Sequence, residues 1–249
     1  MDPSSLISTS VVALLGLGLV FGLKHAMEVD HVVAVSTIVS EHRNLLRATL
    51  VGALWGIGHT FSLVVVGLLV LVFRVAIPET VANWLEFGVA LMIIGLGLLA
   101  LWRVFRKRAD VHMHEHTHDG RPHVHIHFHE PATVHPAVSK APAHSHAISR
   151  IGLKPLLVGA MHGLAGSAAL TLLVLSQIQS VGLGLVYLFL FGIGSTLGML
   201  LMSGVIGLPF ALSARRLSGI NHGLQTTAGV ISIAFGVWYA YSSGVMGSQ

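Results

Sequence analysis

The chain has 249 residues, 53% hydrophobic and only 10% charged, whereas an ordinary soluble domain carries about 25% charged residues; this is the composition of a polytopic membrane protein. Cysteine is absent, which removes disulfides, thiolate metal sites and thiol-redox chemistry. The net charge of +4 would suit a nucleic-acid binder, but the basic residues flank apolar stretches, so they orient the chain in a bilayer and nucleic acid is not expected as a partner.

Crossing a bilayer takes about 20 apolar residues. In chain order such windows fall at 6–39, 46–73, 84–105, 155–178, 181–212 and 224–243. The first is too long for one straight span, and a kink or break is expected at its polar centre. No basic segment precedes it and no small-residue cleavage site follows, so it is read as a retained span and not a signal peptide. Residues 107–150 form a polar loop. The connections after spans one, three and five, with their flanks, hold Arg43, Arg47, Arg103, Arg106, Lys107, Arg108, Arg121, Lys140, Arg150, Lys154, Arg215 and Arg216, against Arg74 alone on the other side. Basic residues favour the cytoplasm, so the long loop is expected inside and both termini outside, in a bacterial inner membrane.

The two halves resemble each other. Gly22-Leu-Lys-His25-Ala-Met-Glu-Val-Asp30 aligns with Gly159-Ala-Met-His162-Gly-Leu-Ala-Gly-Ser167, and Gly56-Ile-Gly-His59-Thr60 with Gly192-Ile-Gly-Ser195-Thr196. A third pair, Phe87–Gly95 and Ala228–Gly236, follows in the same order. Three spans per half place the second half upside down relative to the first, the plan of many secondary transporters with a site near the midplane. The expected fold is therefore an all-α membrane protein of six transmembrane helices in two inverted three-helix repeats, with a cytoplasmic His-rich loop. The parts are 1–106 (first repeat), 107–150 (loop) and 151–249 (second repeat).

The polar centre of the first window reads His25-Ala-Met-Glu28-Val-Asp30-His31. A charged group at the middle of a membrane helix costs roughly 2.5–3.5 kcal/mol even on lenient scales. Imidazole with carboxylate suits a transition-metal cation; an all-carboxylate site would have suggested magnesium or calcium. On a continuous helix His25, Glu28 and His31 would share a broad face and Asp30 would point away, so gathering His25, Asp30 and His31 needs a local break or a partner helix. His59, between Gly58 and Thr60, is the natural partner on span two, and Asp30 either ligates directly or holds a His ring through its N–H. Glu28 could instead face headgroups or pair with Lys24. His162 could complete the coordination or line the path, while Ser167, Ser195 and Thr196 more often bond backbone carbonyls. A single intramembrane His is more often part of a structural hydrogen-bond cluster; His25, Asp30, His31 and His59 together point to metal binding.

These motifs resemble the nickel/cobalt transporter family. Its hallmark is His, four residues, then Asp-His, here His25-x4-Asp30-His31, with a downstream Gly-His-Ser/Thr element, here Gly58-His59-Thr60. The chain is most similar to the shorter, six-span, urease-accessory-type branch, which carries a His-Gly-x-x-Gly-Ser-like element in its second half. The usual signature has Asp where Glu28 stands. The resemblance implies a permease for Ni²⁺ and/or Co²⁺, working in uptake, with no enzymatic activity and no prosthetic group. It also implies a cytoplasmic nickel chaperone or metalloenzyme assembly proteins as partners. Efflux through the same site is the alternative, since related exporters also carry a His-rich loop here. An intramembrane metallohydrolase is disfavoured, as His-Glu-x-x-His is missing.

Eleven of the 17 histidines lie between 112 and 146. His112, His114, His116 and His118, then His123, His125, His127 and His129, alternate with other residues, so an extended strand would present each block on one face. Asp119-Gly-Arg-Pro122 could turn between them. Such a loop would bind nickel, cobalt, zinc or copper with little selectivity; without metal it is expected to be disordered. A metal-sensing or assembly scaffold acting through this loop is a further alternative to transport.

Overall fold

A computed structural model describes residues 3–42, 44–75, 77–109, 111–118, 121–128, 153–177, 180–216, 218–243 and 245. Within them the order is α1 (Pro3–His25), α2 (Val29–Val39), α3 (Leu45–Phe73), α4 (Glu79–Ala109), β1 (Val111–His118), β2 (Arg121–Phe128), α5 (Lys154–Gln177), α6 (Val181–Arg216) and α7 (Ser218–Ser242). The basic residues Arg43, Lys140 and Arg150, and His129 of the loop, lie outside the described residues.

Three of the helices, α3, α4 (over Glu79–Arg106) and α6 (over Val181–Ala214), are long and apolar enough to cross a membrane. Val12–His25 and Val29–Val39 meet the same standard when taken together across a bend of 54°. The expected windows 155–178 and 224–243 fall on α5 and α7; α7 opens with Asn221, His222, Gln225 and Thr226. Large side chains face outward along the helices, among them Phe61, Phe189 and Trp238, each about three-fifths exposed or more. Water would penalise such a surface, while a bilayer solvates it.

Helix pairing is organised by small residues. In lipid, no hydrophobic effect pushes helices together, so close backbone approach and interhelical hydrogen bonds must do so. α1 runs alongside α6 in the same direction: a side chain at Gly22 would strike the backbone of Phe191, and one at Gly194 the backbone of Leu19. α3 runs alongside α5 the same way, with Gly159 against the backbone of Trp55 and Gly58 against that of Leu156. α3 and α6 cross antiparallel, Gly56 on Thr196 and Gly192 on Thr60. There Thr60 Oγ1 donates to the Gly192 carbonyl at 2.9 Å and lies 3.0 Å from Thr196 Oγ1. α4 packs on α7, where Ser232 Oγ donates to the Ile93 carbonyl at 2.9 Å. The main core, which includes Val35, Val51, Trp55, Ile93 and Met199, fills the space between these pairs.

The membrane-type elements are all helices, as expected, whereas residues 111–118 and 121–128 of the His-rich loop, expected to be disordered without metal, form two strands. β1 and β2 pair antiparallel, with His112 opposite His127, His114 opposite His125 and His116 opposite His123. The physical reason is in the alternation: between the histidines stand Val111, Met113, Thr117, Val124, Ile126 and Phe128, mostly β-prone residues in a period of two.

The tight helix contacts yield a differential test. Gly159→Val should lower the thermal midpoint of the detergent-solubilised protein, because overpacking costs roughly 1–3 kcal/mol. Gly88, whose Cβ would meet open space, should accept Ala with the midpoint unchanged or raised. Equal sensitivity at both positions would refute this account of the packing.

Candidate metal centre

Ala26, Met27 and Glu28 are ordinary helix-forming residues, yet the helix stops at them. Met27 and Glu28 close tightened turns onto the Lys24 and His25 carbonyls, each at 3.0 Å. Glu28 then adopts an extended conformation (φ −64°, ψ 150°), and helical bonding resumes when Val32 N–H donates to the Glu28 carbonyl. One extended residue swings Asp30 out of the direction it would take on a continuous helix. It can then face α5.

The consequence is a cluster of four imidazoles and two carboxylates from α1, α2, α3, α5 and the break itself, with His31, His59 and His162 buried, His25 and Asp30 partly buried and Glu28 exposed. Asp30 accepts from His31 Nδ1 at 3.0 Å and from His162 Nε2 at 2.7 Å. Glu28 lies 3.0 Å from His25 Nδ1. An ionised carboxylate only accepts, so the ring nitrogen must carry the proton in each of these contacts. The opposite nitrogens are then lone-pair donors: His25 Nε2, His31 Nε2 and His162 Nδ1 are all buried with no hydrogen-bond partner among the described residues. Neither nitrogen of His59 has one either. His59 is 0% exposed, and His31 and His162 are 1% exposed. Trp55 stacks on His31 at 5.9 Å between ring centroids and walls the cluster on one side.

Two overlapping sets could hold a cation. His25, His31 and His59 offer one nitrogen each, all within 4.8 Å of one another, and so do the ligand atoms of Asp30, His31 and His162. His31 belongs to both. Unpartnered buried nitrogens are costly in a site of low dielectric. A divalent transition metal would satisfy several at once, and imidazole suits nickel, cobalt, copper or zinc. Among the described residues the arrangement offers converging ligand atoms for a cation.

The six expected intramembrane residues, His25, Glu28, Asp30, His31, His59 and His162, thus come together. Glu28 reaches His25 Nδ1, with its side chain more than half exposed. Thr196 bonds within the α3–α6 crossing, Ser195 Oγ is buried without a partner, and the side chain of Ser167 is outside the described residues, as are those of the loop histidines. A cavity of ≈ 430 Å³ leads to the cluster and is lined by Lys24, His25, Glu28, Asp30, Glu86, His162, Tyr187 and Tyr239, among others. Sequence reasoning passed over Glu86, although an acidic residue inside an apolar window is the same signal that exposed the first motif. It also passed over Glu41, which pairs with Arg103 and lies 3.9 Å from Lys154.

The family described as high-affinity nickel-transport protein, NicO, matches residues 11–242 of the chain. The urease accessory protein UreH of Bacillus sp. (strain TB-90) is 38% identical over 235 residues, covering 94% of this chain and 93% of that protein. No solved structure matches the chain.

Removing Asp30's charge while keeping its shape should weaken equilibrium nickel binding by the purified protein about 10–100-fold, the usual effect of losing a carboxylate that orients a ligating His. His59→Ala should weaken it further. Acidification should act in the same direction, since protons compete for imidazole lone pairs. Titration calorimetry of Asp30→Asn and His59→Ala against the unmodified chain checks this, and unchanged affinity in both would remove the cluster as a metal site.

Proposed function

We propose a transport mechanism from one premise: the chain belongs to the NicO family of high-affinity nickel-transport proteins, and is a membrane transporter, not an enzyme. The reading is a secondary permease that takes up Ni²⁺, with Co²⁺ as a second substrate, through the intramembrane cluster. The observation that carries it is the set of buried imidazole nitrogens without partners, converging between membrane helices. His25, His31 and His59 are the dehydrating ligands, His162 stands beside them, and Asp30 and Glu28 hold three of the rings in the tautomers that expose their lone pairs.

Six spans in two inverted repeats make up the frame of this reading, with α5 and α7 as spans four and six. The reciprocity of the helix contacts supports it. Gly22 on Phe191 mirrors Gly159 on Trp55, Gly58 on Leu156 mirrors Gly194 on Leu19, and Gly56 on Thr196 mirrors Gly192 on Thr60. Each pair joins positions that the aligned halves make equivalent. Alternating access is supported by an asymmetry between the two ends. The cavity reaches the cluster from the end where α4 begins. The far end of α4 carries Arg103, paired with Glu41 beside Lys154, while Gln225 donates to the Ser40 carbonyl at 2.9 Å. These polar contacts tie α2 to α4, α5 and α7 beneath the site. By the distribution of basic residues, the open end is extracytoplasmic, both termini lie with it, and the membrane is a bacterial inner membrane.

The hairpin β1–β2 lies on the opposite, cytoplasmic side and serves as a metal buffer, with zinc or copper as competing occupants. Its cross-strand His pairs support that role. UreH is named as a urease accessory protein; by that likeness, the imported nickel goes to cytoplasmic chaperone or assembly proteins of a nickel enzyme.

Cells expressing the chain at submicromolar nickel should accumulate more metal than cells with matched membrane levels of Asp30→Asn. Depletion below the variant would reverse the direction to efflux. Equal content for nickel and for cobalt would sink the permease reading. Deleting 111–128 should leave the initial rate of uptake within about twofold and reduce the number of metal ions bound per purified protein. If deletion abolishes function while Asp30→Asn has no effect, the protein is a scaffold acting through the loop.

A further inference from the structure

Glu86 lies on α4, seven residues past its first residue Glu79, within the segment that crosses the membrane. It is half-buried and lines the same cavity as His25, Asp30 and His162. A carboxylate at that depth is expensive unless paired or functional. Among the described residues, Glu86 makes no hydrogen bond and no ion pair. The other two acids of the cavity are committed: Glu28 to His25, Asp30 to His31 and His162. Lys24, the one ammonium in the lining, is outnumbered by three carboxylates, so the cavity is electronegative. A second observation points to a cation. His162, 1% exposed and part of the same lining, has Nδ1 buried without a partner.

From this arrangement we infer that Glu86 is the capture residue of the cavity: it holds the hydrated divalent cation first, ahead of its transfer to the imidazoles. The inference deepens the permease reading and rests on it. The order of ligands follows from chemistry. A hydrated divalent ion is attracted at long range by charge, and an uncommitted carboxylate in a low-dielectric cleft focuses that attraction. Imidazoles bind only once water has been shed. The cavity lining includes His25, Asp30 and His162 but neither His31 nor His59, so an ion held by Glu86 has still to move inward to reach the full set of imidazoles. Tyr187 and Tyr239 lie on the same walls, where a hydroxyl can hydrogen-bond water of a partly hydrated ion. Glu86 is therefore a binding residue for the approach of the cargo and has no part in its final coordination.

The test is the initial rate of ⁶³Ni²⁺ uptake against free nickel in cells carrying the full chain, Glu86→Gln, Glu86→Asp or Asp30→Asn at matched membrane levels. Glu86→Gln should raise the half-saturating concentration about tenfold, the low end of what charged clefts contribute to association, with the maximal rate within about twofold. Added salt should raise half-saturation for the unmodified chain and have little effect on Glu86→Gln, because the steering charge has gone. Glu86→Asp should restore most of the affinity. The inference is overturned if Glu86→Gln superimposes on the unmodified chain while Asp30→Asn is inactive, or if only the maximal rate falls. It is also overturned if Glu86→Gln and Glu86→Asp are both lost from the membrane, since Glu86 would then be structural. Saturable uptake by Asp30→Asn equal to that of the unmodified chain would instead remove the permease reading beneath it.

Discussion

The structure turns on one carboxylate, Asp30, accepting hydrogen bonds from two imidazoles between packed helices. An ionised carboxylate there must be satisfied on both oxygens, and His31 and His162 do so at 3.0 and 2.7 Å. Satisfying it decides several things together. The first span must break, because on a continuous helix Asp30 would point away from His25 and His31. α5 must approach α2 and α3 closely enough to deliver His162. The protonated nitrogens of His31 and His162 are assigned, which leaves their other nitrogens free for a cation. Glu28 does the same for His25, so the two acids of the motif act first as holders of rings.

The break itself illustrates how tertiary structure overrides propensity. Nothing in Ala26-Met27-Glu28 resists a helix, and neither proline nor glycine marks the bend of 54°. The lost helical bonds are offset by the polar contacts that the bend makes available. Glu28 caps no backbone N–H at the start of α2; its carboxylate is turned to His25.

Close packing brings the remaining ligands in. His59 is on α3 and His162 on α5, and the two rings meet because Gly58 and Gly159 let those helices touch backbone to backbone. Gly163 contributes the same way, directly against the backbone of His59. In a bilayer such small-residue seams substitute for the hydrophobic effect, so the residues that hold the helices together also set the spacing of the ligands. The polar Glu41–Arg103 contact at the far end lies 17 residues from Glu86 along α4, roughly 25 Å at 1.5 Å per residue. A cavity at one end and an ionic tie at the other give the bundle two distinguishable ends around one buried cluster.

Hydropathy and spacing by themselves determined that the chain is a membrane protein and where its apolar windows lie, and they singled out His25, Asp30, His31 and His59 as candidate metal ligands. Each of these depends on local composition or on residues a few positions apart. The aligned halves also drew attention to His162. Only the tertiary structure decided that His162 bonds Asp30 across 132 residues of sequence, that Glu28 holds His25, and that Glu86 shares a cavity with them. It also decided that the alternating histidines form a ribbon. The physical reason is the same in each case: helical periodicity gives the face on which a side chain stands, but which helix that face meets depends on packing between segments far apart in the chain. In lipid that packing is set by backbone approach at glycines and by the need to satisfy buried charge; both kinds of residue are legible locally, but their partners are not.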